Sequence, residues 1–174
     1  MTIEELFKEN EIKSNEKTET ISNWILEKSL AVEELLVFAE NQKDPVKATC
    51  IEALEYATRH HPELADEHVL LFVTQSLRSK APRIKWESAK VIGNIAHLFS
   101  TKLKESISNL LDNTTHEGTV VRWSAAFALG QIIKLKTEYN VTLLPAVEQV
   151  CEQEQKKSIQ KIYQEALKKI KTNP

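Results

Sequence analysis

The chain has little of what turns, sheets and cofactor sites are made from. Its 174 residues include three glycines, five prolines, two cysteines and one methionine, and only 6% are aromatic. So few glycines and prolines suit long helices joined by short turns. The two cysteines, Cys50 and Cys151, fall on apolar helix stripes far apart in sequence, which reads as reduced core thiols and not as a disulfide framework. No apolar run approaches the roughly 18 residues a membrane helix needs, so no membrane partner is expected. The start, Met1-Thr-Ile-Glu-Glu-Leu, is acidic where a secretory signal would be basic and then apolar. A cytoplasmic protein is the expectation.

Catalytic and metal-binding patterns are missing too. There is no His-x-x-x-His pair on a helix, no Cys-x-x-Cys, no Gly-x-Ser-x-Gly and no glycine-rich phosphate loop. His60 and His61 are adjacent before Pro62, where neighbouring side chains diverge, which disfavours a shared metal. No catalytic residue, metal or cofactor is therefore assigned, and the chain is read as non-enzymatic.

What is present is a pattern that returns. Val121-Arg-Trp-Ser-Ala-Ala-Phe-Ala-Leu-Gly130 is its clearest copy. Ile84 opens a second copy 37 residues earlier, Val46 another 38 before that, and Ile159 a fourth 38 after Val121. A period of this size, filled with helix formers, marks stacked helix pairs. Within each copy the apolar or small positions spread wider than one stripe, as Val121, Ala125, Ala126, Ala128 and Leu129 show. Such a helix packs on its own partner and on both neighbouring repeats. Gly93 and Gly130 stand inside helices, where glycine costs about 1 kcal/mol against alanine. A tight helix crossing or a close ligand is expected at each.

The spacing predicts one domain over 1–174 with about nine helices and no sheet. Residues 1–29 form an N-terminal cap, with helices near 3–9 and 20–28 and a loop over 10–18. Four helix pairs follow, over about 30–60, 61–100, 101–137 and 138–174. Their helices are expected at 31–40 and 46–59, 63–78 and 83–99, 101–113 and 119–136, and about 141–154 and 157–171. Pro45 and Pro82 sit where a second helix starts, a position that tolerates proline.

The pattern Val-Arg-x-x-Ala-Ala-x-Ala-Leu-Gly resembles the second helix of a HEAT repeat. The resemblance covers roughly residues 30–171 and is strongest in the third copy. It implies an all-α, right-handed α-solenoid of about four helix pairs with extra N-terminal capping helices, its second helices lining a concave face. The family often carries Asp-x-x-Val-Arg at the turn. This chain has Asp44-Pro-Val-Lys47, Ala81-Pro-Arg-Ile-Lys85 and Gly118-Thr-Val-Val-Arg122 instead, so a regular Asp–Arg ladder is not expected. Lys85 and Arg122 hold the ladder-base position and are expected to reach the neighbouring repeat or its turn as structural residues, as Gly93 and Gly130 serve the packing.

Taking the opening Val or Ile as position zero, positions two, six, nine and thirteen share one helix face. They read Ala48, Glu52, Glu55, Arg59; then Trp86, Lys90, Gly93, His97; then Trp123, Phe127, Gly130, Lys134; then Lys161, Glu165, Lys168, Thr172. Side by side, these rows would place an aromatic and basic centre on the concave face. Trp86, Lys90, His97, Trp123, Phe127 and Lys134 are the candidate partner-binding residues. Two readings of the tryptophans stay open: ridge-filling core between repeats, or exposed anchors of the type that dominates binding hot spots.

An apolar-centred groove with mixed-charge edges suits a partner protein or peptide. The alternative is nucleic acid, with Trp or Phe stacking on a single strand or a flipped base. The HEAT-like DNA alkylpurine glycosylases use such grooves, but their chemistry needs a carboxylate beside the aromatics, and rows two and three carry none. A net charge of −2 means that phosphate neutralisation would have to be local. That net charge hides a gradient: residues 1–40 hold ten Glu and four Lys, and residues 155–174 hold six Lys and one Glu. Such ends are those of a monomer or a weak homodimer.

Overall fold

The computed structural model describes residues 1–172. Ten α-helices follow one another, with no strand among the described residues. They are α1 (Ile3–Lys8), α2 (Ser14–Leu26), α3 (Val32–Glu40), α4 (Asp44–His60), α5 (Glu67–Ser76), α6 (Pro82–Ile95), α7 (Lys104–Asn113), α8 (Thr119–Ile133), α9 (Asn140–Gln153) and α10 (Lys157–Thr172). They correspond one for one to the two cap helices and four helix pairs that the spacing predicts, one more than the round figure of about nine. Asn173 and Pro174, the end of the fourth expected repeat, lie outside the described residues.

The helices pack as a solenoid. The even-numbered helices form a continuous row in which α2 meets α4, α4 meets α6, α6 meets α8 and α8 meets α10. The odd-numbered helices each lie on the even helix that follows them. The N-terminal cap is thus itself a helix pair, and α2 takes the first place in the row. One core runs along the row. It takes in Ile21 and Ile25 on α2, Ile51 and Leu54 on α4, Ile92 and Ile95 on α6, Leu129 and Ile132 on α8, and Tyr163 on α10, all at 1% exposure or less.

Several boundaries differ from the sequence expectation, each for a local reason. The segment expected as loop over 10–18 already turns into helix at Ser14, where the Lys13 backbone N–H donates to Glu16 Oε2 at 2.8 Å. Helix α5 starts at Glu67 because the Asp66 carboxylate caps it, accepting from the Val69 N–H at 3.1 Å. The residues before it form a 3₁₀ turn, Pro62–Leu64. Helix α6 stops at Ile95 and tightens into a 3₁₀ turn, Ala96–Leu98. Helix α7 starts only at Lys104. Helix α8 stops at Ile133, and the chain reverses through Lys136 at φ 55°. Lys28 does the same after α2 at φ 61°. Glycine is the usual residue in that conformation, so neither stop is marked in the sequence.

Polar side chains tie successive repeats. Thr74 and Ser106 hydroxyls are 2.7 Å apart, and Asn109 Nδ2 donates to the Thr74 carbonyl at 3.0 Å. Ser14 and Thr18 of α2 bond Thr49 and Glu52 of α4, and Arg83 of α6 pairs with Glu52. All are buried or half-buried contacts, where an unmade hydrogen bond would cost about 1–3 kcal/mol.

Candidate functional site

Both candidate ladder residues span a repeat junction. Lys85 Nζ donates to the Leu77 carbonyl at the end of α5 and to Asn113 Oδ1 on α7, both at 2.9 Å. Arg122 Nε donates to Glu154 Oε2 at 3.1 Å, and its Nη1 to the His116 and Glu117 carbonyls at 3.0 and 3.1 Å. Glu154, at the end of α9, is buried. Both side chains thus tie turns and helix ends together, and Arg122, with His116 and Glu154, also lines a separate cavity of about 310 Å³.

The tryptophans do not share one environment. Trp86 is half-buried, and its Nε1–H donates to Glu87 Oε1 at 2.9 Å. Trp123 is 41% exposed. One turn on, the Phe127 ring stacks on that of Trp123, with centroids 6.0 Å apart and planes 9° from parallel. All three aromatics line one cleft of about 490 Å³ between α4, α6 and α8.

The glycines make room for side chains of the next repeat. A Cβ on Gly93 would lie 2.3 Å from Phe127 Cε1. One on Gly130 would lie 3.3 Å from the Ala166 Cβ of α10. The space beside Gly93 is therefore taken by Phe127, and the crossing, not a ligand, accounts for that glycine.

The polar wall of the cleft holds groups that the row pattern did not join. Glu55 is 3% exposed and lines the cleft. It accepts from Arg59 Nε at 3.1 Å and Nη2 at 2.6 Å, and Lys90 Nζ is 3.7 Å away. Lys90 also meets Glu87 at 3.2 Å. Burial pushes the Glu87 carboxyl above its ordinary range, opposed by the nearby Lys90 charge. The Glu55 interaction holds the Arg59 guanidinium above its ordinary value. Asn94 Nδ2 donates to the Glu55 carbonyl at 3.2 Å and to Thr58 Oγ1 at 3.3 Å. The expectation that no carboxylate lies beside the aromatic rows is thus corrected. Glu87 sits at position three, off the stripe, and Glu55 enters from the row before. Both are already paired with cations.

Lys134 lies apart from this cleft. With Trp123, Phe127 and Lys169 it lines a second cavity, of about 250 Å³, between α8 and α10. Burial and the Lys169 charge hold Lys134 below the ordinary lysine range. His97 lines neither cavity. Because α6 ends at Ile95, His97 falls in the exposed 3₁₀ turn and leaves the stripe that the sequence assigned to it.

This architecture is that of an armadillo/HEAT-like repeat solenoid. An engineered protein shares it at a TM-score of 0.71 and 18% identity, with 90% of this chain and 72% of that one covered. A designed armadillo repeat protein in complex with a (KR)4 peptide matches at 0.68 and 18% identity, with 88% and 74% covered. Computationally designed armadillo repeat proteins for modular peptide recognition match at 0.71 and 18%, with 88% and 74% covered. No family model matches the sequence, and no curated protein does. Among the described residues no helix is long and apolar enough to cross a membrane.

Proposed function

We propose that the protein is a non-enzymatic scaffold that binds a partner protein or peptide on the face of the even-numbered helix row, around Trp86, Trp123 and Phe127. The observation that carries this reading is the open cleft of about 490 Å³ with Trp123 at 41% exposure on its wall. A large ring left half in water beside a second stacked ring is costly unless something covers it. The cleft has an apolar centre and a rim of both charge signs, which suits a peptide or the apolar face of a helix. Solenoids of the same shape include designed peptide binders, and this face corresponds in kind to the surface that stacked repeats expose.

The nucleic-acid alternative draws less support. A sugar–phosphate strand along the row would meet Arg83, Arg59 and Lys90 already paired with Glu52, Glu55 and Glu87, so the unpaired cations left for successive phosphates are few. A peptide array probed with the wild-type protein and with Trp123→Ala tests the reading. Spots that bind wild type and lose the variant are expected. An array with no binding, or with binding indifferent to Trp123, overturns it.

A further inference from the structure

The two cavities share the Trp123–Phe127 wall, and their polar groups have a one-sided surplus. In the larger one, both Glu55 oxygens are taken up by Arg59, and Lys90 lies within ion-pair distance as well. Arg59 uses only Nε and one Nη2 hydrogen in that pair. Its Nη1 edge remains free, on a side chain 53% exposed. Ser124 also lines the cleft, and its buried hydroxyl has no hydrogen-bond partner. In the smaller cavity Lys134 and Lys169 face the same space, and neither has a carboxylate within ion-pair distance among the described residues. The carboxylate that lines it, Glu165, lies 3.8 Å from Lys161. Across the groove, then, the buried Glu55 is engaged and the free capacity is cationic: the open edge of Arg59 on one side of the exposed ring pair, and Lys134 and Lys169 on the other, where the exposed Glu165 is the one opposing charge lining the cavity.

From this bookkeeping we infer that the groove takes an acidic–aromatic segment: a bulky aromatic or apolar side chain seated against Trp123 and Phe127, flanked on either side by aspartate or glutamate. One flanking carboxylate meets the free edge of Arg59, a bidentate geometry that guanidinium favours. The other meets Lys134 and Lys169 and relieves the repulsion between them. A basic peptide, by contrast, would need carboxylates that Arg59, Lys90 and Arg83 already hold. The inference rests on the proposed peptide-binding role and adds the chemistry of the peptide.

Fluorescence anisotropy with the full chain tests it. The probes are short labelled peptides with a central phenylalanine flanked by aspartate and glutamate, by serine, or by lysine and arginine, together with a labelled single-stranded DNA oligonucleotide. The acidic peptide is expected to bind about tenfold tighter than the serine peptide, the equivalent of one charge-assisted contact, and the basic one weakest. Arg59→Gln and Lys134→Gln together should abolish the preference, so that the acidic and serine peptides bind with equal affinity. Circular dichroism of that variant checks that it is folded, and either single substitution serves if the pair is not. Equal binding of all three peptides, or a preference for the basic one, overturns this inference while leaving the peptide-binding reading intact. Tighter binding of the oligonucleotide than of any peptide overturns both, as does binding of none of the peptides.

Discussion

The Phe127 ring of α8 occupies the space that a side chain on Gly93 of α6 would need, its Cε1 lying 2.3 Å from the position of the missing Cβ. Two effects oppose each other when Gly93 becomes alanine. Helix propensity favours the change by about 1 kcal/mol. Overpacking disfavours it by about 1–3 kcal/mol. Gly93→Ala should therefore lower stability by about 1 kcal/mol in urea denaturation. In a Phe127→Ala background the same substitution should become stabilising. A double-mutant cycle with no coupling between the two sites would show that the ring does not set the crossing.

Arg122 and Glu154 define the second junction to test. Removing the guanidinium leaves Glu154, 3% exposed as a side chain, with the Lys156 backbone N–H as its remaining donor. Arg122→Ala is expected to cost about 1–3 kcal/mol. It should not alter binding at the aromatic cleft, which it does not line. An unchanged melting point with lost binding would move Arg122 from the frame to the site.

Much of the frame was legible in the sequence because a solenoid repeats its contacts. The same apolar positions recur in Ile84, Val121 and Ile159, and all three are at 1% exposure. Helix ends were less legible, because Lys28 and Lys136 adopt a left-handed conformation that their residue type does not advertise. At the site, the face shared by Trp123 and Phe127 follows from spacing within one helix. The pairing of Glu87 with Trp86 and Lys90 does not follow, because a stripe at positions two, six and nine ignores a neighbour whose side chain bends back to it. His97 failed for the opposite reason: the stripe assumed a helix longer than the one that forms.

The buried Glu87 gives a pH test with a definite sign. Its carboxyl lies above the ordinary 4.5 because burial penalises the charged form. A carboxyl whose pKa rises on folding favours the fold while protonated. That contribution is full below about 4.5 and is lost as pH rises through the folded value. Glu87→Gln removes the titration. The stability of the variant relative to wild type should therefore improve between mildly acidic and neutral pH. Denaturation at the two pH values checks this, and a change in the other direction would mean that Lys90 more than offsets the burial.

Cys50 supplies a probe of opening. It is buried on α4, and desolvation raises its thiol to about 12. Since the thiolate is the reactive form, native protein at neutral pH should leave Cys50 unmodified by a disulfide reagent. Modification should appear in parallel with unfolding in denaturant. Prompt labelling without denaturant would mean that α4 opens locally.

Trp86 and Trp123 hold equivalent repeat positions but should behave differently when replaced. Trp86 is half-buried and donates to Glu87, a carboxylate 5% exposed as a side chain. Trp86→Phe keeps an aromatic ring but removes the donor and the five-membered part of the indole, so it should cost at least about 1–3 kcal/mol of stability. Trp123 donates no hydrogen bond within the chain among the described residues, stacks only on Phe127 and is 41% exposed. Trp123→Ala should cost little stability, under about 1 kcal/mol for a partly exposed position. It should weaken an array-selected peptide by about 2 kcal/mol or more, as a central anchor would. Melting curves and a peptide titration on both variants separate the roles. If Trp123→Ala unfolds the protein as readily as it weakens the peptide, the stacked ring pair is framework, and the binding face lies elsewhere on the helix row.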